Sequence, residues 1–262
     1  MTYIFCIFAR NLANTTMKKI PIIALIMIAN LTSCSQYLSY TATIDVNGVD
    51  LFYIVEGKGK PVILLHGNGG SHTDLETETR QLAQAGYRVY ALDSRGQGAN
   101  RPVNEYHYRD MAEDTYQVIR RLGIKHPAVF GWSDGGNVAL LLELMHSGTC
   151  SLIATSGANL NPEGLGALLD EMMEKEPNEG NLFKMMCFEP NMTTDDMKRI
   201  KCPALICAGE NDLIPLWHTE QIAASIPQGK LHIVPDADHG SHIYHNPKMA
   251  NILIDFFRKN HY

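Results

Sequence analysis

No run of about 20 apolar residues occurs in the 262-residue chain, so a permanent membrane-spanning helix is not expected. There is no internal repeat and no low-complexity stretch, which removes solenoid, fibrous and disordered architectures. Basic charge is also short. Lysine and arginine total 22 against 28 aspartates and glutamates, a net charge of -6. No basic stripe stands out along the chain, which argues against a nucleic-acid partner. None of the six cysteines forms a C-x-x-C pair, and nothing in the pattern calls for a metal or another cofactor. What is present is a globular balance, 45% hydrophobic and 19% charged, at a length suited to one large α/β domain.

The amino-terminal residues read as targeting rather than fold. Met17-Lys18-Lys19 precedes an apolar segment from Ile20 to Ala29 and then Leu31-Thr32-Ser33-Cys34. A basic start, a short apolar core and small residues before a cut site make a secretory signal. Leu-Thr-Ser-Cys resembles the lipobox of bacterial lipoproteins, which implies that Cys34 is acylated and that the mature protein begins there. The expected organisation is a leader over 1–34, a tether over 35–40 and a domain over 41–262. The protein would be exported and held by lipid in a bacterial envelope membrane, or else periplasmic if cleavage is of the ordinary kind. Cys150, Cys187, Cys202 and Cys207 then have two open fates, disulfides or buried free thiols.

Within the domain, two β-rich runs, Thr41–Val46 and Val49–Val55, flank Asn47-Gly48, a strong hairpin signal. Apolar strands and amphipathic stretches then alternate. Strands are predicted over Pro61–Leu65, Tyr87–Leu92, Ala128–Trp132, Leu152–Thr155, Ala204–Ala208 and Leu231–Val234. Helices are predicted near Thr73–Ala85, Met111–Leu122 and Asn137–Met145, with a last one opened by Asn246-Pro247. This alternation predicts a mostly parallel sheet with helices on both faces and an antiparallel hairpin at one edge. It stops over about 156–199, which reads as a small helical cap above the carboxyl ends of the strands, where open α/β sheets bind ligands.

The chemistry starts at Gly131-Trp132-Ser133-Asp134-Gly135, between a strand and a helix. A serine on such a sharp turn is an exposed nucleophile. The pentapeptide alone would arise by chance in ~10% of chains this long, so its setting carries the weight. An acid and a histidine follow in the order that the turn requires. Asp212, with Glu210 as its rival, lies just past one predicted strand, and His239 lies in the loop after the last. His242 and His245 are nearby alternatives to His239, and His66 reads as structural. A metal held by these histidines with Asp236 and Asp238 is not needed to explain them.

His66-Gly67-Asn68-Gly69-Gly70, Asp93-Ser94-Arg95-Gly96-Gln97-Gly98, the Ser133 pentapeptide, Gly209-Glu210-Asn211-Asp212 and Asp238-His239-Gly240 together resemble the α/β-hydrolase superfamily, in the right order and over about 42–260. The resemblance implies a serine hydrolase. Ser133 would be the nucleophile, His239 the base and Asp212 the residue that orients it, with the backbone N–H groups of Asn68 and Asp134 as oxyanion donors. The elbow Gly-Trp-Ser-Asp-Gly-Gly is similar to that of valacyclovirase-like hydrolases, in which this Asp binds the α-amino group of amino-acid esters. Asp134, Trp132 and Asn68 are accordingly expected to touch the substrate, and Asp134 has a second reading, as the acidic residue that opens a helix. A small-molecule carboxylic ester or related acyl compound is the leading substrate. Amino-acid ester or peptide hydrolysis, carbon–carbon bond hydrolysis and a catalytically silent surface lipoprotein are the alternatives.

Overall fold

A computed structural model describes residues 38–262. The leader, Cys34 and the first part of the tether lie outside the described residues. Strands β1 (Ser39–Val46) and β2 (Val49–Gly57) form an antiparallel hairpin. Asn47 and Gly48 both take positive φ, 50° and 78°, the backbone that a two-residue turn between right-twisted strands demands. Ser39 and Tyr40, assigned to the tether by sequence, are the first two residues of β1 and pair with Glu56 and Val55. A polar strand at a sheet edge lacks the apolar alternation that would have marked it.

The remaining strands are β3 (Pro61–Leu65), β4 (Arg88–Leu92), β5 (Ala128–Trp132), β6 (Leu152–Ser156), β7 (Ala204–Gly209) and β8 (Gly229–Val234). They make one eight-stranded sheet in the order β1-β2-β4-β3-β5-β6-β7-β8, parallel from β4 to β8. Between them run α1 (Glu76–Gln84), α2 (Tyr108–Arg121) and α3 (Asp134–Met145). The cap comprises a short 3-10 turn, Pro162–Leu165, and helices α4 (Ala167–Glu179), α5 (Asn181–Phe188) and α6 (Thr194–Met197). Helices α7 (Leu216–Ser225) and α8 (Pro247–Lys259) complete the domain. α7 was not legible in sequence, because after Leu216 it opens on Trp-His-Thr, residues of middling helical preference, and has no side-chain cap.

The strands carry near-continuous apolar runs because both faces are covered. Val62, Leu64 and Phe130 pack toward Leu82 of α1 and Phe257 of α8 on one face. Ile63, Leu65 and Val129 pack toward Val118 of α2, Leu142 of α3 and Ile222 of α7 on the other. Each such side chain, fully buried, is worth roughly 1.5–3 kcal/mol. No disulfide joins the four described cysteines, Cys150, Cys187, Cys202 and Cys207, and three of them are buried. Among the described residues, no helix is long and apolar enough to cross a membrane.

Candidate active site

The parallel strands all end on one side of the sheet, and the loops leaving β3, β5, β7 and β8 meet there. At the end of β5 the chain must reverse abruptly into α3, and Ser133 is the residue that turns, with φ 55° and ψ -121°. Such a backbone costs a non-glycine residue on the order of 1–3 kcal/mol. The surroundings hold it there. Its N–H donates to the Ser156 carbonyl at 2.8 Å, and its own carbonyl accepts from Gly136 N–H at 2.8 Å. A Cβ on Gly131 would stand 1.9 Å from the Gly135 carbonyl oxygen, and one on Gly135 would stand 2.2 Å from that of Leu65. The two glycines are therefore a condition of the turn.

Ser133 Oγ lies 3.0 Å from His239 Nε2, and His239 Nδ1 lies 2.6 Å from Asp212 Oδ1. The Asp212 side chain is fully buried. Its Oδ2 accepts from Gly209 N–H and its Oδ1 also from Ile214 N–H, each at 3.0 Å. Burial alone would raise its pKa, but the bond and charge of His239 and these two N–H groups outweigh it and hold the carboxyl below its ordinary range. It is a carboxylate, so His239 Nδ1 is the protonated nitrogen and Nε2 faces Ser133 as an acceptor. Glu210, the rival acid, is exposed and accepts instead from the Asp236 N–H. Gly157 makes room for the imidazole, since a Cβ there would lie 2.5 Å from His239 Cε1.

The loop after β3 is held by its neighbours. His66 is buried, its Nδ1 donating to the Gly67 carbonyl at 2.7 Å and its Nε2 accepting from Ser94 N–H at 3.0 Å. Gln97 Oε1 accepts from Gly69 N–H at 2.7 Å. In the same Asp93–Gly98 segment, Arg95 makes a two-pronged bond to Asp114 on α2, both contacts at 2.7 Å. Neither the Asn68 nor the Asp134 backbone N–H donates to any other group among the described residues.

Asp134 stands in the first turn of α3, as its second reading expects, but its side chain makes no capping bond to the helix. Its side chain is buried, with Oδ1 accepting from the Tyr108 hydroxyl at 2.6 Å and Oδ2 from Asn68 Nδ2 at 2.8 Å. Both donors are neutral. Burial outweighs their hydrogen bonds and pushes the carboxyl up to about 6. A cavity of about 220 Å³ opens beside Ser133 and His239 and is lined by Asp134, Tyr108 and Asn159 and by the apolar Leu165, Leu168, Met172, Phe183, Met186 and Ile214. The apolar residues come from the cap and from the loop that carries Asp212.

Two residues expected to touch the substrate, Trp132 and Asn68, do not line this cavity. Trp132 points to the face covered by α1 and α8, is almost fully buried, and donates its indole N–H to the His239 carbonyl at 2.9 Å. Alternation along β5 sends it away from the cavity, so it supports the histidine loop. The Asn68 side chain, spent on Asp134, does not line the cavity. Sequence reasoning missed Tyr108 and a second serine–histidine pair. Ser156 Oγ lies 2.7 Å from His242 Nε2, both residues fully buried, and His242 Nδ1 donates to the Asp238 carbonyl at 3.1 Å. His242 has an exclusively supporting position, linking β6 to the loop of His239. His245 stands outside, just before the α8 cap. Among the described residues no cluster of His, Cys, Asp and Glu is arranged to hold a metal ion.

A family model described as the alpha/beta hydrolase fold matches residues 60–198, more than half of the chain. The chain belongs to the α/β-hydrolase family. It is similar to the human serine hydrolase BPHL, 27% identical over 252 residues that cover 83% of this chain and 86% of that one. It is also similar to a putative non-heme chloroperoxidase of Synechocystis, 25% identical over 80% of this chain and 95% of the relative. An esterase from Exiguobacterium antarcticum has the same fold, with a TM-score of 0.72 at 21% identity over 83% of this chain and 99% of that structure. By its fold and relatives the protein is a hydrolase, and the mixed eight-stranded sheet with helices on both faces is the fold class expected from sequence.

Proposed function

We propose that the protein is a serine hydrolase that cleaves a carboxylic ester or related acyl bond of a small molecule through an acyl-enzyme. The observation that carries this reading is the Asp212–His239–Ser133 hydrogen-bond chain, which ends at a cavity. Ser133 Oγ attacks the substrate carbonyl while His239 Nε2 takes its proton, and Asp212 stabilises the imidazolium that forms. The uncommitted N–H groups of Asn68 and Asp134 receive the oxyanion, each donor being worth ~10²–10³-fold in rate. His239 then protonates the leaving group, and water attacks the acyl-enzyme by the same route. At about 220 Å³ the cavity is smaller than the 300–1,000 Å³ usual for drug-sized ligands, which favours a short, mostly apolar acyl group.

A second reading is favoured by Asp134. A carboxylate paired with two neutral donors leaves its charge uncompensated in a mostly apolar cavity. That arrangement suits the ammonium group of an α-amino ester, in keeping with the resemblance of the elbow Gly-Trp-Ser-Asp-Gly-Gly to that of valacyclovirase-like hydrolases. The protein is further proposed to be exported and fixed to an envelope membrane at or near Cys34. A fluorophosphonate probe should label the wild type and not Ser133→Ala. An ester panel with and without α-amino groups, at several acyl lengths, then separates the two substrate readings. Labelling that survives Ser133→Ala would move the nucleophile elsewhere.

A further inference from the structure

The overall charge of -6 conceals a division between the two ends of the sheet. Lys60, Lys125 and Lys201 lie just before β3, β5 and β7, Lys230 is the second residue of β8, and Arg258 and Lys259 lie in the last turn of α8. All six are exposed, and all lie at the amino ends of the strands, the end opposite Ser133. Lys60 and Lys125 border one groove with His126 and His261, while Lys230 and Lys259 border another with Asp255. Lys198 and Arg199, just before Lys201, are paired with Asp195 and Asp196. At the carboxyl end exposed acidic residues, Glu163, Asp170, Glu210, Asp236 and Asp238, stand among the exposed bases Arg101, Lys184 and Lys248.

The described chain enters at the basic end. The Leu38 carbonyl accepts from Gly57 N–H at 2.8 Å, Gly57 pairs with Arg88, and Arg88 pairs with Pro61, the first residue of β3. Leu38 and Tyr40 are exposed large side chains at this entrance, residue types that suit a lipid–water boundary. Leu38 follows Cys34 by four residues, ~14 Å of fully extended chain.

We propose that the amino edge of the sheet is a docking surface for an anionic phospholipid bilayer. The basic residues engage the headgroups, and the active-site mouth faces away from the membrane, taking substrate from the aqueous phase. The proposal rests on the reading that the chain is attached to a membrane at or near Cys34. A tether of a few residues leaves the entrance close to the surface, and the lysines there add electrostatic attraction to it. The opposite end, where acidic and basic residues are mixed, offers the same lipid no comparable cluster of bases.

Amine-reactive footprinting of the full-length protein tests this, with the protein reconstituted into vesicles of phosphatidylcholine alone or with added phosphatidylglycerol. Lys248 and Lys259 sit at opposite ends of α8 and serve as an internal pair, both exposed. With phosphatidylglycerol, acylation of Lys60, Lys125, Lys201 and Lys259 should slow by about fivefold or more while Lys248 is unchanged, and high salt should reverse the protection. Equal protection of Lys248 and Lys259, or the same pattern on neutral vesicles, would overturn the proposal. So would duplex DNA protecting these lysines as well as the vesicles do. The same mass spectra report whether Cys34 carries acyl chains, so failure of the attachment reading is seen separately. A chain found unattached would leave the surface to be judged by whether its co-sedimentation with vesicles depends on phosphatidylglycerol.

Discussion

Two serine–histidine pairs sit at the carboxyl end of the sheet, and they differ in what surrounds them. Ser133–His239 borders a cavity and is backed by a buried carboxylate, Asp212. Ser156–His242 is fully buried and is backed by a backbone carbonyl, that of Asp238. Hydrogen-bond lengths barely separate them, at 3.0 Å for the first and 2.7 Å for the second. The difference lies in access and charge. A carbonyl orients an imidazole but supplies no full negative charge to stabilise an imidazolium, and a dry site denies both serine and histidine a substrate. The second pair steadies the first: Ser156 holds the Ser133 N–H through its own carbonyl, and His242 holds the residue next to His239.

Truncating each serine should break the comparison most visibly. Ser133→Ala is expected to lower kcat by ~10⁵–10⁶-fold in an ester assay, whereas Ser156→Ala should retain fluorophosphonate labelling and lose mainly stability. Equal loss of labelling in both would erase the distinction. The backing groups give the next largest contrast. Asp212→Asn should cost ~10⁴-fold in kcat by favouring the wrong imidazole tautomer. Asp238→Asn should leave the rate within a few-fold, since the carbonyl that holds His242 is main chain and an amide oxygen can still accept from Gly240 and Ser241.

Asp134 sharpens what the accessible pair acts on. Asp134→Asn should reduce kcat/KM for α-amino esters by ~10–100-fold more than for plain acyl esters, about what a charged hydrogen bond is worth. In the wild type that preference should fade as pH falls through about 6, where the Asp134 carboxylate takes up a proton. Equal losses on both ester classes would leave Asp134 as the residue that holds Asn68. The smallest effect expected is on the buried pair. Burial lowers the His242 pKa below the ordinary 6.5, so the unfolded chain binds a proton there more readily than the folded one. Stability from this site is thus present above about 6.5 and falls as pH drops below it, a loss that His242→Phe should abolish in thermal melts.

Much of the fold was legible because its signals are local. Apolar runs such as Val62–Leu65, the Asn47-Gly48 turn and the Asn246-Pro247 helix start are set by a few adjacent residues. The order Ser133, Asp212, His239 was legible too, since each follows a strand that is plain in the pattern. Where the signal was weak, at the polar start of β1 and in α7, the reading was short or silent. Partners distant in sequence left no trace: Tyr108 reaches Asp134 across 26 residues, and Ser156 reaches His242 across 86.

By itself, then, the sequence determined the alternating α/β architecture, the sharp turn at Ser133 and the succession of acid and histidine behind it. All of these follow from backbone preference and from burial patterns of period two or near four. Tertiary structure alone decided that Trp132 supports His239 and does not face the cavity, and that Asp134 is buried against Tyr108 and Asn68 and does not cap α3. It also decided that Lys60, Lys125, Lys201, Lys230 and Lys259, scattered in sequence, gather at one end of the sheet. Side-chain direction, desolvation and the field of many charges depend on what surrounds a residue in space, and neighbours in sequence do not supply that.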